Sequence, residues 1–135
     1  MRQLISSIVL VVALCASSAG CGASLQAPPP NLSPAAQQAF RYLQTQKVLD
    51  LVRDVAVDAN AQKKTDGTPL VSEATTREIV RLHETAIKMM NASTSGWAAV
   101  VYQQLTDIVA KAPPADKSVL GTYFNLALST LKGLL

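Results

Sequence analysis

Residues 119–134 read VLGTYFNLALSTLKGL, and the spacing of their apolar side chains decides the fold class. Five of them recur at steps of four, three, four and three, as on one face of an α-helix: Leu120, Phe124, Ala127, Leu131 and Leu134. The face is widened by Val119, Tyr123, Leu126 and Leu128. We predict a helix from about Pro114 to Leu134. Because it is apolar over most of its surface, we expect it to be central and covered by its neighbours.

Three further helices are predicted before this one. Ser33 and Pro34 are typical of a helix start, since serine caps free amide groups and proline suits the first turn, and this helix runs to about Gln62. Its expected core residues are Ala36, Phe40, Leu43, Val48, Leu51, Val52, Val55 and Ala59. Ser72 caps the second helix, whose apolar residues are Ile79, Leu82, Ala86, Ile87 and Met90. Ser95 caps the third, whose apolar residues are Trp97, Val101, Leu105, Ile108 and Ala112.

Turns separate these helices. Asp66, Gly67 and Pro69 predict a turn over residues 63–69, residues 91–96 are polar, and Pro113 with Pro114 ends the third helix. Few stretches alternate with a period of two, so no sheet is predicted. The sequence therefore predicts an all-α fold, a small antiparallel bundle of about four helices, over residues 34–135.

The N-terminal segment has the layout of a secretory signal. Arg2 is positive, residues 4–16 are apolar apart from Ser6 and Ser7, and small residues follow to position 23. The apolar run of about 13 residues is shorter than the roughly 20 that a membrane-spanning helix needs. We therefore expect residues 1–20 to be a removed signal peptide rather than a membrane anchor.

The stretch Ser18-Ala19-Gly20-Cys21 resembles the cleavage region of bacterial lipoprotein signals, in which small or aliphatic residues precede an invariant cysteine. The resemblance covers residues 1–21. It implies that the Cys21 thiol receives a diacylglycerol and that cleavage makes Cys21 the first residue. It also implies an outer-membrane location, because Gly22 stands where aspartate often marks inner-membrane retention. The alternative is ordinary cleavage after Ala19, which would give an exported protein with a free Cys21 thiol.

Cysteine content agrees with lipidation. Of the two cysteines, Cys15 lies within the segment to be removed, so the mature chain keeps Cys21 alone. A lone thiol in an oxidising compartment is a liability, which acylation would remove. Pro28-Pro29-Pro30 follows within residues 22–33 and favours an extended polyproline form. We predict that residues 21–33 are a lipidated cysteine and a tether that reaches at most roughly 40 Å.

The charges give no indication of nucleic-acid binding. The chain has 12 Lys and Arg residues and 9 Asp and Glu residues, a formal net charge of +3. The basic residues are scattered along the sequence, and Lys63-Lys64 is the only adjacent pair. Nucleic-acid sites cluster such residues, often among aromatic side chains. We therefore expect no nucleic-acid partner.

Few residues could carry chemistry. His83 is the only histidine and a candidate ligand for metal or for haem, in the latter case together with a methionine, but such sites need several ligands. We expect it to be a core or seam residue, and we expect no metal and no cofactor. Asp50, Asp54 and Asp58 form an acidic row at steps of four on the first helix, for which a solvated face is expected. Trp97 is expected to close one end of the bundle as a core residue.

The sequence shows no catalytic pattern. No serine lies in a Gly-x-Ser-x-Gly elbow, and no glycine-rich phosphate loop is present, so we expect no enzymatic activity. These features favour a bacterial or phage-encoded lipoprotein on the periplasmic side of the outer membrane, acting as an interaction or structural module on an envelope protein. Two alternatives stay open. One is a helical carrier of haem, metal or a lipid-like ligand, and the other is an envelope defence factor, such as one for phage superinfection exclusion.

Overall fold

A computed structural model describes residues 28–135, and the helices lie in one compact unit, Leu32–Leu135. The predicted signal peptide, Cys21 and the tether up to residue 27 lie outside the described residues. Four helices are present: α1 Pro34–Ala61, α2 Glu73–Asn91, α3 Trp97–Lys111 and α4 Pro114–Lys132. Residues 28–135 contain no strand, only an isolated bridge between Lys63 and Pro69. The predicted all-α bundle of four helices is confirmed.

The helices pack in the order in which they occur in the chain. Each packs against the next, and α1 also packs against α4, which closes the ring. The antiparallel order places the start of α1, the end of α2, the start of α3 and the end of α4 together, and we call this the tether end. We call the opposite end the far end. Because α4 has two main neighbours like every other helix, it is not the central helix that its apolar surface predicted.

Most of the core residues predicted for α3 and α4 are buried. All five predicted residues of α3 are buried, as are Leu120, Phe124, Ala127 and Leu131 of α4. Leu134 and the four widening residues of α4 are only half-buried.

The predicted face of α1 is partly wrong. Leu43 and Leu51 are 58% and 41% exposed, although both were expected in the core. The buried residues of α1 are Thr45, Leu49, Val52, Ala56 and Ala59. These follow the same four-three-four-three steps as the core of α4. The buried face of α1 therefore follows the helical period. Leu43 and Leu51 lie outside this face, although they are apolar and larger than Thr45 or Ala56.

The helix starts are set by two serines and one glycine. The Ser33 and Ser72 hydroxyls accept hydrogen bonds from the amides of Ala36 and Thr75, both at 3.3 Å, as predicted for N-caps. Ser95 is not the cap of α3. Gly96 takes that position with φ = 70°, a left-handed conformation that glycine adopts without steric penalty. Among residues 28–135, no helix combines the length and the apolar character needed to span a membrane.

Candidate functional site

A buried carboxylate joins α4 to α2 at the far end. Asp116 lies in the first turn of α4 and is 3% exposed. Its Oδ1 accepts a hydrogen bond from the backbone amide of Ser72 at 3.0 Å. Its Oδ2 accepts from the hydroxyls of Ser72 and Thr75, both at 2.5 Å. In a capping box, a side chain three residues into the helix binds the N-cap amide. Here a carboxylate from another helix takes that role.

The Asp116 carboxylate is stabilised in its charged form. Burial raises the pKa of Asp116, but the hydroxyls of Ser72 and Thr75 and the Ser72 amide outweigh burial and hold the pKa below its ordinary value. Asp116 also lies at the start of α4, where the helix dipole favours negative charge. The sequence pattern did not single out this residue. Its only sequence mark is an acidic residue in a first turn, a common feature of helices.

His83 lies at the seam between α1 and α2. Its side chain is 11% exposed, and its Nε2 lies 2.5 Å from Oδ1 of Asp50. The Arg53 guanidinium lies 3.4 Å from the same Nε2. The seam position expected of His83 is what the structure has. Both contacts of Nε2 are therefore with side chains of α1, one a carboxylate and the other a guanidinium.

The three aspartates of the α1 row do not share one environment. Asp54 and Asp58 are exposed, as expected, and Asp54 pairs with its neighbour Arg53 at 2.7 Å. Asp50 differs because it faces α2 and contacts His83. The described part of the chain contains no group of three or more His, Cys, Asp or Glu side chains placed to hold a metal ion.

Substituting Asp50 should affect stability more than substituting Asp54. We expect Asp50→Asn to lower the free energy of unfolding by about 1 kcal/mol, because its contact joins two helices and is partly shielded. Asp54→Asn is the matched control, with an expected change below about 0.5 kcal/mol, because Asp54 is exposed and contacts only its neighbour. Urea unfolding of both variants measures the difference. Equal losses would contradict a structural role for the Asp50–His83 contact.

An open groove lies at the tether end. Its volume is about 950 Å³, and α1 contributes Arg41 and Tyr42, the α2–α3 turn contributes residues 93–96, and the chain end contributes Leu134 and Leu135. Trp97 forms its base with 4% exposure and meets Tyr42 edge-to-face, with ring centres 5.4 Å apart. Trp97 therefore closes this end of the core, as predicted.

The charges separate along the bundle axis. The part of the bundle that runs to the tether end, residues 34–48, 85–106 and 120–135, contains no Asp or Glu, although Asp50, Glu84 and Asp107 lie within two residues of its bounds. Its basic residues are Arg41, Lys47, Lys88 and Lys132. All 9 carboxylate side chains of the sequence lie outside this part. Residues that are scattered in sequence thus form a basic end, which the sequence analysis missed because it depends on the antiparallel order of the helices.

Comparison of the chain with protein-family models, with curated proteins and with solved structures finds no significant match.

Proposed function

We propose that this protein is an exported bacterial or phage-encoded lipoprotein, held in the envelope by lipid on Cys21, whose helical bundle is a non-enzymatic interaction module. The observation that carries the proposal is the stretch Ser18-Ala19-Gly20-Cys21 directly after a short apolar run. The bundle begins at Pro34, so a short proline-containing stretch separates the acylated residue from the folded unit. This arrangement suits a domain that acts close to a membrane surface.

The fold is consistent with a binding role. A lipid anchor confines a small domain to two dimensions, which raises its effective concentration for a partner in the same membrane. The bundle offers exposed surface on all four helices, including the large apolar side chains of Leu51, Val57 and Val100. We place the partner among envelope proteins. Crosslinking in intact cells is expected to give discrete adducts of the bundle, and monomer alone would argue against this role.

The anchor is tested by replacing Cys21. We expect Cys21→Ser to abolish acylation and to move the protein from the membrane fraction to the soluble fraction, because serine lacks the thiol that accepts the diacylglycerol. Intact mass of the detergent-extracted protein measures this directly. The wild-type chain is expected to begin at Cys21 and to carry acyl mass.

Cys15→Ser is the matched control for the anchor. Cys15 lies inside the segment that is removed, so this variant is expected to keep both acylation and membrane location. An unmodified wild-type chain that begins near Gly20 in the soluble fraction would contradict the proposal and favour ordinary signal cleavage.

The carrier alternative makes different predictions. A haem carrier would show a Soret band on purification, and a metal carrier would hold stoichiometric metal that His83→Ala removes. A carrier of a lipid-like ligand would release that molecule on organic extraction of the purified protein, and the groove beside Tyr42 and Trp97 is where we would place it. An envelope defence factor would share the anchor of the main proposal and would differ in its partner, a phage receptor or entry protein.

A further inference from the structure

The basic end of the bundle is built from exposed cations on three helices. Arg41 lies on α1, Lys88 in the last turn of α2 and Lys132 in the last turn of α4. All three side chains are exposed, and none forms a salt bridge within residues 28–135. Elsewhere in the described residues Arg53 and Arg77 pair with carboxylates, whereas Arg81 and Lys111 form no salt bridge either. These three cations therefore have no carboxylate partner within the described residues.

Apolar side chains accompany these cations. Leu135 is 66% exposed and lines the tether-end groove together with Arg41. Phe40 is half-buried and lies outside the packed core. A surface that combines cations without carboxylate partners and an exposed leucine is suited to the headgroup region of a bilayer, where phosphate attracts the cations and the interface accepts apolar groups.

We propose that the tether end of the bundle docks on an anionic phospholipid surface. The choice of a membrane as the occupant rests on charge complementarity and on the proposed function, since α1 begins at this end and a lipid on Cys21 would hold the bundle near a bilayer. The anchor would hold the bundle near the bilayer without fixing its orientation, which a basic surface attracted to anionic lipid would set. Docking would fix which face of the bundle meets a partner, with the far end directed away from the membrane.

Lys88 and Lys132 also stabilise their own helices, and the experiment must distinguish this effect from membrane binding. Both lie at helix C-termini, where a cation stabilises the helix dipole. Lys111 has the same position in the last turn of α3, but at the far end. Lys111 is therefore the matched control for Lys132. Arg81, an exposed residue of α2 without a salt bridge in the described structure, is the control for Arg41.

The experiment compares two double variants in the full chain carrying Cys21→Ser, so that binding does not depend on acylation. One is Arg41→Glu with Lys132→Glu, and the other is Arg81→Glu with Lys111→Glu. Both change the net charge by the same amount. Flotation with vesicles of phosphatidylcholine, alone or mixed with phosphatidylglycerol, gives the ratio of anionic to neutral binding. All the variants share the signal segment with its Arg2, so its contribution cancels when their ratios are compared. Circular dichroism verifies that each variant is helical.

We expect the Cys21→Ser chain without charge reversals to bind anionic vesicles more strongly than neutral ones. This difference should decrease as the salt concentration is raised. Each cation near an anionic surface contributes roughly fivefold to binding, so the tether-end reversal is expected to lower the ratio at least about tenfold. The far-end reversal is expected to change it by less than about twofold.

Equal effects of the two double variants, or equal binding to neutral and anionic vesicles, would overturn docking. An adduct to an acidic protein in cells, lost on tether-end reversal and without vesicle binding, would overturn it in favour of a protein partner. If the wild-type chain is not acylated at Cys21, the proposed anchor is wrong. Because the vesicle experiment uses Cys21→Ser, it tests docking independently of that result.

Discussion

Replacing Phe124 by aspartate is expected to unfold the bundle. Phe124 is 1% exposed and is the bulkiest of the fully buried side chains. Its removal costs about 3–5 kcal/mol in lost burial and packing, and a buried carboxylate without a partner costs several more. Domains of this size are stable by only about 5–15 kcal/mol. We therefore expect Phe124→Asp to lose the helical circular dichroism and the cooperative thermal transition.

Leu43→Asp is the matched control for this experiment. It introduces the same side chain in place of an apolar residue that is exposed on α1 rather than buried. We expect the free energy of unfolding to change by less than about 0.5 kcal/mol. A melting curve for Phe124→Asp like that of the wild type would show that α4 does not form the core described above. Loss of structure in Leu43→Asp would show that α1 is rotated from its position here.

Removing the Asp116 side chain should have the second largest effect. We expect Asp116→Ala to lower the free energy of unfolding by about 3 kcal/mol, because one carboxylate accepts three hydrogen bonds and each bond to a charged group contributes about 1.5–3 kcal/mol. The hydroxyls of Ser72 and Thr75 can recover part of this loss by binding water. Urea unfolding measures the change. Asp116→Asn is expected to lose less, since it keeps the acceptor for the Ser72 amide.

Asp66 is the matched control for Asp116. Its carboxylate also accepts from a hydroxyl and an amide, both of Thr68, at 2.6 and 2.9 Å, but the residue is exposed in the turn between α1 and α2. Those bonds lower the pKa of Asp66 as well. We expect Asp66→Ala to leave the unfolding midpoint almost unchanged. A loss equal to that of Asp116→Ala would show that burial of the Asp116 carboxylate adds nothing.

The lowered pKa of Asp116 gives its contribution a pH dependence. The folded state holds the proton less tightly than the unfolded chain, so folding is favoured while the carboxylate is ionised. Its stabilisation is complete above the pKa of the unfolded chain, about 4, and is lost as the pH falls through the folded pKa. Stability of the wild type should therefore decrease on acidification more steeply than that of Asp116→Asn.

The periodic part of the fold could be predicted from the sequence, and the reason is visible in α3. Its five predicted residues recur at helical spacing and are all buried. In α1 the prediction followed the size of Leu43 and Leu51, whereas the structure buries the smaller Thr45 and Ala56. Thr45 can be buried because its hydroxyl donates to the Arg41 carbonyl at 2.8 Å. Period is therefore a better guide to the buried face than hydrophobicity in a helix with few large side chains.

The candidate surfaces could not be predicted in the same way. The contact between Asp116 and Ser72 joins residues 44 positions apart, and that between Asp50 and His83 joins residues 33 positions apart. Both depend on which helices are neighbours and at what register, and a single sequence does not specify this. The basic tether end has the same origin, because its cations come from three helices and are grouped only when alternate helices reverse direction. Cys21 is the converse case, since a local pattern indicates it without reference to the fold.

The ring of helices also bears on how fast the chain folds. Three of its four interfaces join helices that follow one another in sequence, and the connections before α3 and α4 are short. Contacts of this kind require little loop-closure entropy, so the search for them is brief. Only the α1–α4 interface joins the two ends of the domain and carries the entropy of a long loop. With mostly local contacts, the bundle is expected to fold within roughly microseconds to milliseconds. A newly synthesised chain would then expose its apolar faces only briefly.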